Sequence, residues 1–254
     1  MASAPVALPG GRVQTVYRAG DGPPLVWLHG LNGVEGDAAI VEALGQRHHV
    51  LAPLAPGFND LEELSEIRDI HDLALHYDDL LDALELPTAI LVGHSFGAMI
   101  AAELAAHFPK RVDKLVLISP LGLWNDAYPV TDVFAVPSTE MPRLLYRTPP
   151  PSANGTTQDV ERIVTLVRGM TTVARFLWPI PDRGLARRLY RIQAPTLIVH
   201  GEHDAFVPVQ YAHDFGHAVH GARVSVFEGE AHMLPTEATH ALTTAINTFL
   251  GSPL

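Results

Sequence analysis

A chain of 254 residues with 47% hydrophobic content can bury one large core or two small ones, and no low-complexity tract argues for disorder. Its formal charge of −11 runs against nucleic-acid binding, which needs clustered positive charge to meet a phosphate backbone. It has no cysteine, which excludes disulfides, thiolate catalysis and cysteine-ligated zinc. Met1 to Gly10 carries neither a basic residue nor a long apolar run, so it does not read as a signal peptide. No later stretch is apolar for long enough to suggest a membrane span, and the expectation is a soluble cytoplasmic protein.

In chain order, residues 12–18 alternate as an early strand near a sheet edge, and Asp21-Gly22-Pro23-Pro24 breaks the chain. Leu25 to Leu28 is a continuous apolar run, the pattern of a strand buried on both faces, and it ends in His29-Gly30-Leu31-Asn32-Gly33. A helix is expected over 38–46 and a short strand over Val50 to Leu54. Between Asn59 and Asp72 lie Asp60, Glu62, Glu63, Glu66, Asp69 and Asp72. Nothing organises these acids into ligand spacing, so they read as a solvated loop and helix start. Ile70, Leu73, Ala74, Tyr77, Leu80, Leu81 and Leu84 recur at helical spacing until Pro87 stops them.

Residues 89–98 then read Ala-Ile-Leu-Val-Gly-His-Ser-Phe-Gly-Ala. An apolar strand runs into Gly93-His94-Ser95-Phe96-Gly97 and a helix rich in small residues follows, which is the strand–turn–helix setting that G-x-S-x-G requires. A serine on so sharp a turn needs small residues two before and two after it, and Gly93 and Gly97 supply them. Lys114 to Ser119 is the next buried strand. Strand, helix, strand, helix, strand implies a mostly parallel, doubly wound sheet with helices on both faces.

The pattern breaks between Pro120 and Gln193. This segment holds Pro149, Pro150 and Pro151, the tryptophans Trp124 and Trp178, and helical runs near 159–177 and 182–191. It reads as a helical cap over 121–191, inserted into a core of 1–120 and 192–254. Nine arginines (Arg143, Arg147, Arg162, Arg168, Arg175, Arg183, Arg187, Arg188, Arg191) face six acids there, in a chain that is acidic elsewhere. Surface helix positions account for most of them; one or two reaching a pocket would favour an anionic substrate. Strands resume at Thr196 to Val199 and Arg223 to Phe227, separated by a helix over Pro208 to Val219. An amphipathic helix over Thr236 to Leu250 closes the chain.

A serine hydroxyl needs a base to take its proton, and the base needs an acid to hold its tautomer. Candidates belong at the carboxyl ends of later strands, where a doubly wound sheet presents its site. Asp204 follows one such strand in Gly201-Glu202-His203-Asp204, and His232 follows the next. Glu202, Glu228 and Glu230 compete with Asp204, but the first lies too early in its turn and the others flank the histidine. A zinc set of His200, His203, Asp204 and His232 is conceivable on residue types, and a serine elbow makes it redundant; no metal or cofactor is expected. Backbone N–H groups of Phe96 and Leu31 are the candidate oxyanion donors, with His29 and His94 supporting their loops. His29, Trp124, Phe134, Met141, Leu145, Phe176, Val207 and Met233 are the candidate pocket residues.

With His29-Gly30, Gly93-His94-Ser95-Phe96-Gly97, Gly201-Glu202-His203-Asp204 and Ala231-His232 in this order, the chain resembles the α/β-hydrolase superfamily over essentially its whole length. The resemblance implies an eight-stranded, mostly parallel sheet with a helical cap, and a Ser95–His232–Asp204 triad. A serine nucleophile argues against the epoxide hydrolases and haloalkane dehalogenases, which use aspartate. The first expectation is a carboxylesterase acting on a small-molecule ester through an acyl-enzyme. The alternative is a carbon–carbon bond hydrolase of the meta-cleavage-product type, whose acidic substrates the basic cap would suit. Those enzymes often carry a tryptophan after the histidine and a longer glycine-rich oxyanion loop, where this chain has Met233 and Gly30-Leu31-Asn32-Gly33. A catalytically silent ligand-binding protein on the same scaffold is the third reading, and a homodimer is compatible with all three.

Overall fold

The computed structural model describes residues 1–137, 139–150, 157–177 and 182–251. The strands are β1 (Ala2–Ala7), β2 (Val13–Ala19), β3 (Pro24–Leu28), β4 (His49–Pro53), β5 (Ala89–His94), β6 (Val112–Ile118), β7 (Thr196–Gly201) and β8 (Arg223–Phe227). The helices are α1 (Gly33–Gly36), α2 (Ala38–Leu44), α3 (Ile70–Ala83), α4 (Phe96–His107), α5 (Met141–Leu145), α6 (Thr157–Leu177), α7 (Gln210–Ala218), α8 (Leu234–Glu237) and α9 (Thr239–Gly251). One eight-stranded sheet runs in the order β1-β2-β4-β3-β5-β6-β7-β8. Only the β1–β2 and β2–β4 pairs are antiparallel; the other pairs are parallel and place the carboxyl ends of β3 to β8 along one edge.

The two faces of the sheet bury separate clusters, as expected when helices cover both. β3, β5, β6 and β7 are the four apolar runs legible in the sequence, and each is buried over most of its length. α4 presents almost no polar face: every residue from Phe96 to Ala106 is buried, and its alanines let the backbone lie close on the sheet. The acidic stretch does capping work. Asp60 accepts from the Glu62 amide, and Asp69 accepts from the His71 and Asp72 amides at the start of α3.

Three elements differ from expectation. β1 is a strand that the sequence did not suggest: it pairs outside β2, which lies near the edge as expected, along Ala2–Ala7, a mostly exposed segment that contains a proline. The run over 182–191 forms two short 3-10 turns, Leu185–Arg187 and Leu189–Arg191, rather than one helix. Gly184 at φ 92 precedes the first turn, and Arg188 joins the two turns at φ −111 and ψ −18. The final helix is split at Ala238 into α8 and α9. Trp178 and Pro151 lie outside the described residues, as does the side chain of Arg162. Among the described residues no helix is long and apolar enough to cross a membrane.

Several arginines between β6 and β7 act as clamps onto the core. Arg188 grips Glu103 of α4 with two bonds of 2.9 and 2.6 Å, Arg191 donates to the Ala106 carbonyl at 2.7 Å, and Arg175 donates to the Ile67 carbonyl at 2.9 Å. Glu103 is 1% exposed, so removing its guanidinium strands a buried carboxylate beside His107 alone. Arg188→Ala is therefore expected to lower unfolding free energy by about 3 kcal/mol. Arg188→Ala combined with Glu103→Leu should recover most of that loss, measured by denaturant titration. Equal stability of the single variant and the parent would show that the clamp holds nothing.

Candidate active site

Ser95 lies between β5 and α4 at φ 56 and ψ −112, a conformation that L residues adopt only under constraint. The glycines on either side explain how it is accommodated. A Cβ on Gly93 would lie 2.4 Å from the Gly97 carbonyl oxygen, and one on Gly97 would lie 2.0 Å from the Leu28 carbonyl oxygen. The Ser95 amide donates to the Ile118 carbonyl at 2.8 Å, so β6 secures the turn from its other side.

Asp204 and His232 meet this serine from the ends of β7 and β8. His232 Nδ1 lies 2.7 Å from Asp204 Oδ2, and His232 Nε2 lies 2.9 Å from Ser95 Oγ. A carboxylate only accepts, so Nδ1–H donates to Asp204 and Nε2 is left to accept the serine proton. Asp204 Oδ1 also takes the amides of Phe206 and Val207 at 3.0 and 2.8 Å. His200 approaches Oδ2 at 3.3 Å while donating to the Val207 carbonyl at 2.8 Å. Burial pushes the Asp204 carboxyl up, but the facing His232 and the hydrogen bonds from His200 and His232 outweigh it. The carboxyl is held well below the usual carboxylate range. A buried anion, an imidazole with one committed proton and a hydroxyl in line can move a proton from oxygen to nitrogen and stabilise the charge that results.

The neighbouring histidines are structural. His29 accepts the Ala55 amide on Nε2 at 2.8 Å, so its Nδ1–H donates to the Gly30 carbonyl at 2.7 Å and the ring is fully used. His94 Nε2–H donates to the His232 carbonyl at 3.1 Å, tying the serine turn to the histidine loop. His203 stands exposed beside Glu202, away from the buried His200, Asp204 and His232. Among the described residues no group of three metal-ligating side chains is placed to hold an ion.

Phe96 opens α4, so its N–H has no intrahelical acceptor. Leu31 follows Gly30, where a Cβ would lie 2.8 Å from His94 Nδ1, so this loop presses on the serine turn. The segment between β6 and β7 reaches these same loops. Phe176 stacks on Phe96 with ring centroids 5.9 Å apart, a Cβ on Gly169 would lie 2.5 Å from the Leu31 carbonyl oxygen, and the Leu145 carbonyl accepts the Met233 amide at 3.1 Å. Ser95 is 2% exposed. Of the pocket candidates, Met141, Leu145, Phe176, Val207 and Met233 are buried and Phe134 is half-buried. Trp124 is 41% exposed with its indole N–H on Asp126, and His29 supports a loop rather than offering a wall. Sequence reasoning passed over Asp37, whose partners Trp27 and Gly30 are marked by no motif, and it weighed His200 with Asp204 only as metal ligands rather than as a contact between a ring and a carboxylate four residues on.

A family model described as "Alpha/beta hydrolase family" matches residues 25–245. The chain is 29% identical over 255 residues to a 2-hydroxymuconate semialdehyde hydrolase of Pseudomonas sp. (strain CF600), covering 92% of this chain and 89% of that one. It is 26% identical over 273 residues to a 2-hydroxy-6-oxo-2,4-heptadienoate hydrolase of Pseudomonas putida, covering 97% and 96%. Among solved structures, the meta-cleavage product hydrolase from Pseudomonas fluorescens IP01 superposes with a TM-score of 0.79 at 22% identity, covering 97% of each chain.

The buried imidazoles of His29 and His94, with that of His76 on α3 beside Gln14 and Arg12, set an acid limit on the fold. Burial lowers His29 and His76 to about 4 and His94 to about 3, from an ordinary 6.5. Each ring stays neutral in the folded chain while the unfolded chain takes up a proton below 6.5, so stability present above that pH is lost as pH falls. Asp37 works in the opposite sense. Burial pushes its carboxyl up to about 7, and its contribution weakens stability as pH rises from about 4 to 7. Three rings outweigh one carboxyl, so unfolding free energy should drop by about 1–2 kcal/mol between pH ~6 and ~5. His76→Gln should flatten that slope. A free energy that holds or rises over this interval would contradict neutral burial.

Proposed function

The chain belongs to the alpha/beta hydrolase family, and from that membership we propose that it is a serine-dependent hydrolase whose segment 121–191 acts as a helical lid over the triad. The observation that carries the proposal is the unbroken line from Ser95 Oγ through His232 to an ionised Asp204. Ser95 adds to the substrate carbonyl carbon as His232 Nε2 takes the hydroxyl proton, and Asp204 steadies the imidazolium. The N–H groups of Phe96 and Leu31 receive the developing oxyanion, each contributing about 3 kcal/mol to transition-state binding. His232 returns its proton to the leaving group, and water then releases the acyl group from Ser95 by the same route.

For the substrate, we place a 2-hydroxy-6-oxo-dienoic acid first, a vinylogous diketone acid cleaved at the carbon–carbon bond beside the attacked carbonyl. What supports it is the near full-length likeness to two hydrolases named for such compounds. The dienol first ketonises, its 2-hydroxyl proton being lost as a proton is added at C5. When the bond from C5 to the attacked carbon then breaks, its electron pair delocalises through the C3–C4 double bond onto the 2-oxo group, and the dienolate so formed takes the proton from His232. A carboxylic ester is the second reading, and the arginines favour it. Arg175, Arg183, Arg188 and Arg191 spend their guanidinium groups on carbonyls and on Glu103, which takes them out of contention for a substrate carboxylate.

The two readings separate in one assay of the purified protein. Decay of dienolate absorbance with 2-hydroxy-6-oxo-2,4-heptadienoate should give a kcat/KM at least about tenfold above that for p-nitrophenyl butyrate; the reverse ratio would establish the ester reading. Ser95→Ala should lower both by roughly 10⁴-fold or more. Full activity in folded Ser95→Ala protein would end the serine mechanism.

A further inference from the structure

Asp37 is a carboxylate that the proposed chemistry does not use. It is 1% exposed at the start of α2, and it accepts the Trp27 indole N–H at 3.0 Å. The Gly30 backbone N–H also faces it. Gly30 contributes the carbonyl half of the peptide whose amide half is Leu31. On the carbonyl side, Gly30 O receives His29 Nδ1–H at 2.7 Å and the Gly33 amide at 3.2 Å. A trans peptide points its C=O and N–H in opposite directions, so whatever holds Gly30 O also aims the Leu31 N–H.

We propose that Asp37 is a positioning residue: with His29 it clamps Gly30 from the amide and carbonyl sides, so that the Leu31 N–H is aimed at the oxyanion before substrate arrives. This rests on the serine-hydrolase reading above. Burial pushes the Asp37 carboxyl up, and the Trp27 indole and Gly30 amide draw it part of the way back. A leucine here would avoid the desolvation cost and would leave the Gly30 amide without a seat. The clamp has a backstop on each side. Gly30 sits hard against His94, and Gly169 of α6 lies against the Leu31 carbonyl. A donor fixed in this way does not reorganise during the reaction, which is the condition under which an oxyanion donor lowers a barrier most.

The test measures the second-order rate at which a fluorophosphonate modifies Ser95, read by intact mass, with kcat and KM for p-nitrophenyl butyrate and a melting curve for folding. Asp37→Asn, His29→Gln and the double variant are compared in the full chain. Each single change should slow phosphonylation and kcat by about tenfold or more while KM stays within about twofold. The double variant should be little slower than the worse single, because the two residues hold the same residue, Gly30, from its two sides. Wild-type rates in folded Asp37→Asn overturn the clamp. If that variant fails to fold, Trp27→Phe and His29→Gln decide the matter, and normal rates in both overturn it. Ser95→Ala separates the two levels. Labelling absent in the parent, or retained at the same rate in Ser95→Ala, defeats the serine mechanism and the clamp together. Labelling that needs Ser95 but ignores Asp37 and His29 defeats the clamp alone.

Discussion

The rest of the molecule depends on how closely three backbone segments approach at Ser95. With no side chain at Gly97, the first turn of α4 rests against the end of β3; a Cβ there would come within 2.0 Å of the Leu28 carbonyl oxygen. This approach brings the loop after β3 to the same place as the start of α4, so two candidate oxyanion donors from distant sequence share one neighbourhood. The strained serine costs about 1–3 kcal/mol, and the surroundings over-determine it. Its amide is held by Ile118, and its carbonyl takes the amides of Met99 and Leu121 at 3.1 and 3.4 Å. A looser junction would relax the turn and lose the alignment of Oγ with His232.

Around that junction, partners rather than residue type decide what each histidine does. His29, His94, His200 and His232 are all buried. His29 spends both nitrogens on loop backbone, and His94 and His200 each donate to a carbonyl. His232 alone has a carboxylate on one nitrogen and a hydroxyl on the other. The burial that keeps His29 and His94 neutral leaves Asp204 as the anion of the cluster, because Asp204 collects two amides and two imidazoles.

This explains how far the sequence could be read. Strands buried on both faces appear as unbroken apolar runs, and the elbow appears because its residue pattern is local, although only Gly93 is demanded from within the turn, by Gly97 and Ala98, while Gly97 is demanded by the distant end of β3. The order of serine, aspartate and histidine follows from strand ends that are also local signals. What stays hidden is whatever a distant partner decides. β1 is an exposed segment that gains its structure from pairing with β2. Residues 182–191 have helical spacing, but they form two short 3-10 turns after a left-handed Gly184, with Arg188 between the turns bonded to Glu103. The arginine excess between β6 and β7 is visible as charge, whereas its use as a set of clamps depends on carbonyls and a glutamate elsewhere in the chain. Asp37 looks like an ordinary helix-start acid until Trp27 and Gly30 are seen beside it.

The segment between β6 and β7 touches every loop that carries an atom of the proposed site. Phe176 lies on Phe96, Gly169 lies on Leu31, and Leu145 bonds to Met233 beside His232. On the proposed reading, selecting a substrate and aiming the donors are therefore not separable. A change at Gly169 or Phe176 of α6 also alters the support of the Leu31 carbonyl or the Phe96 ring. Variation in this segment should consequently alter turnover together with affinity, because the residues that would admit a different substrate also hold the machinery that would act on it.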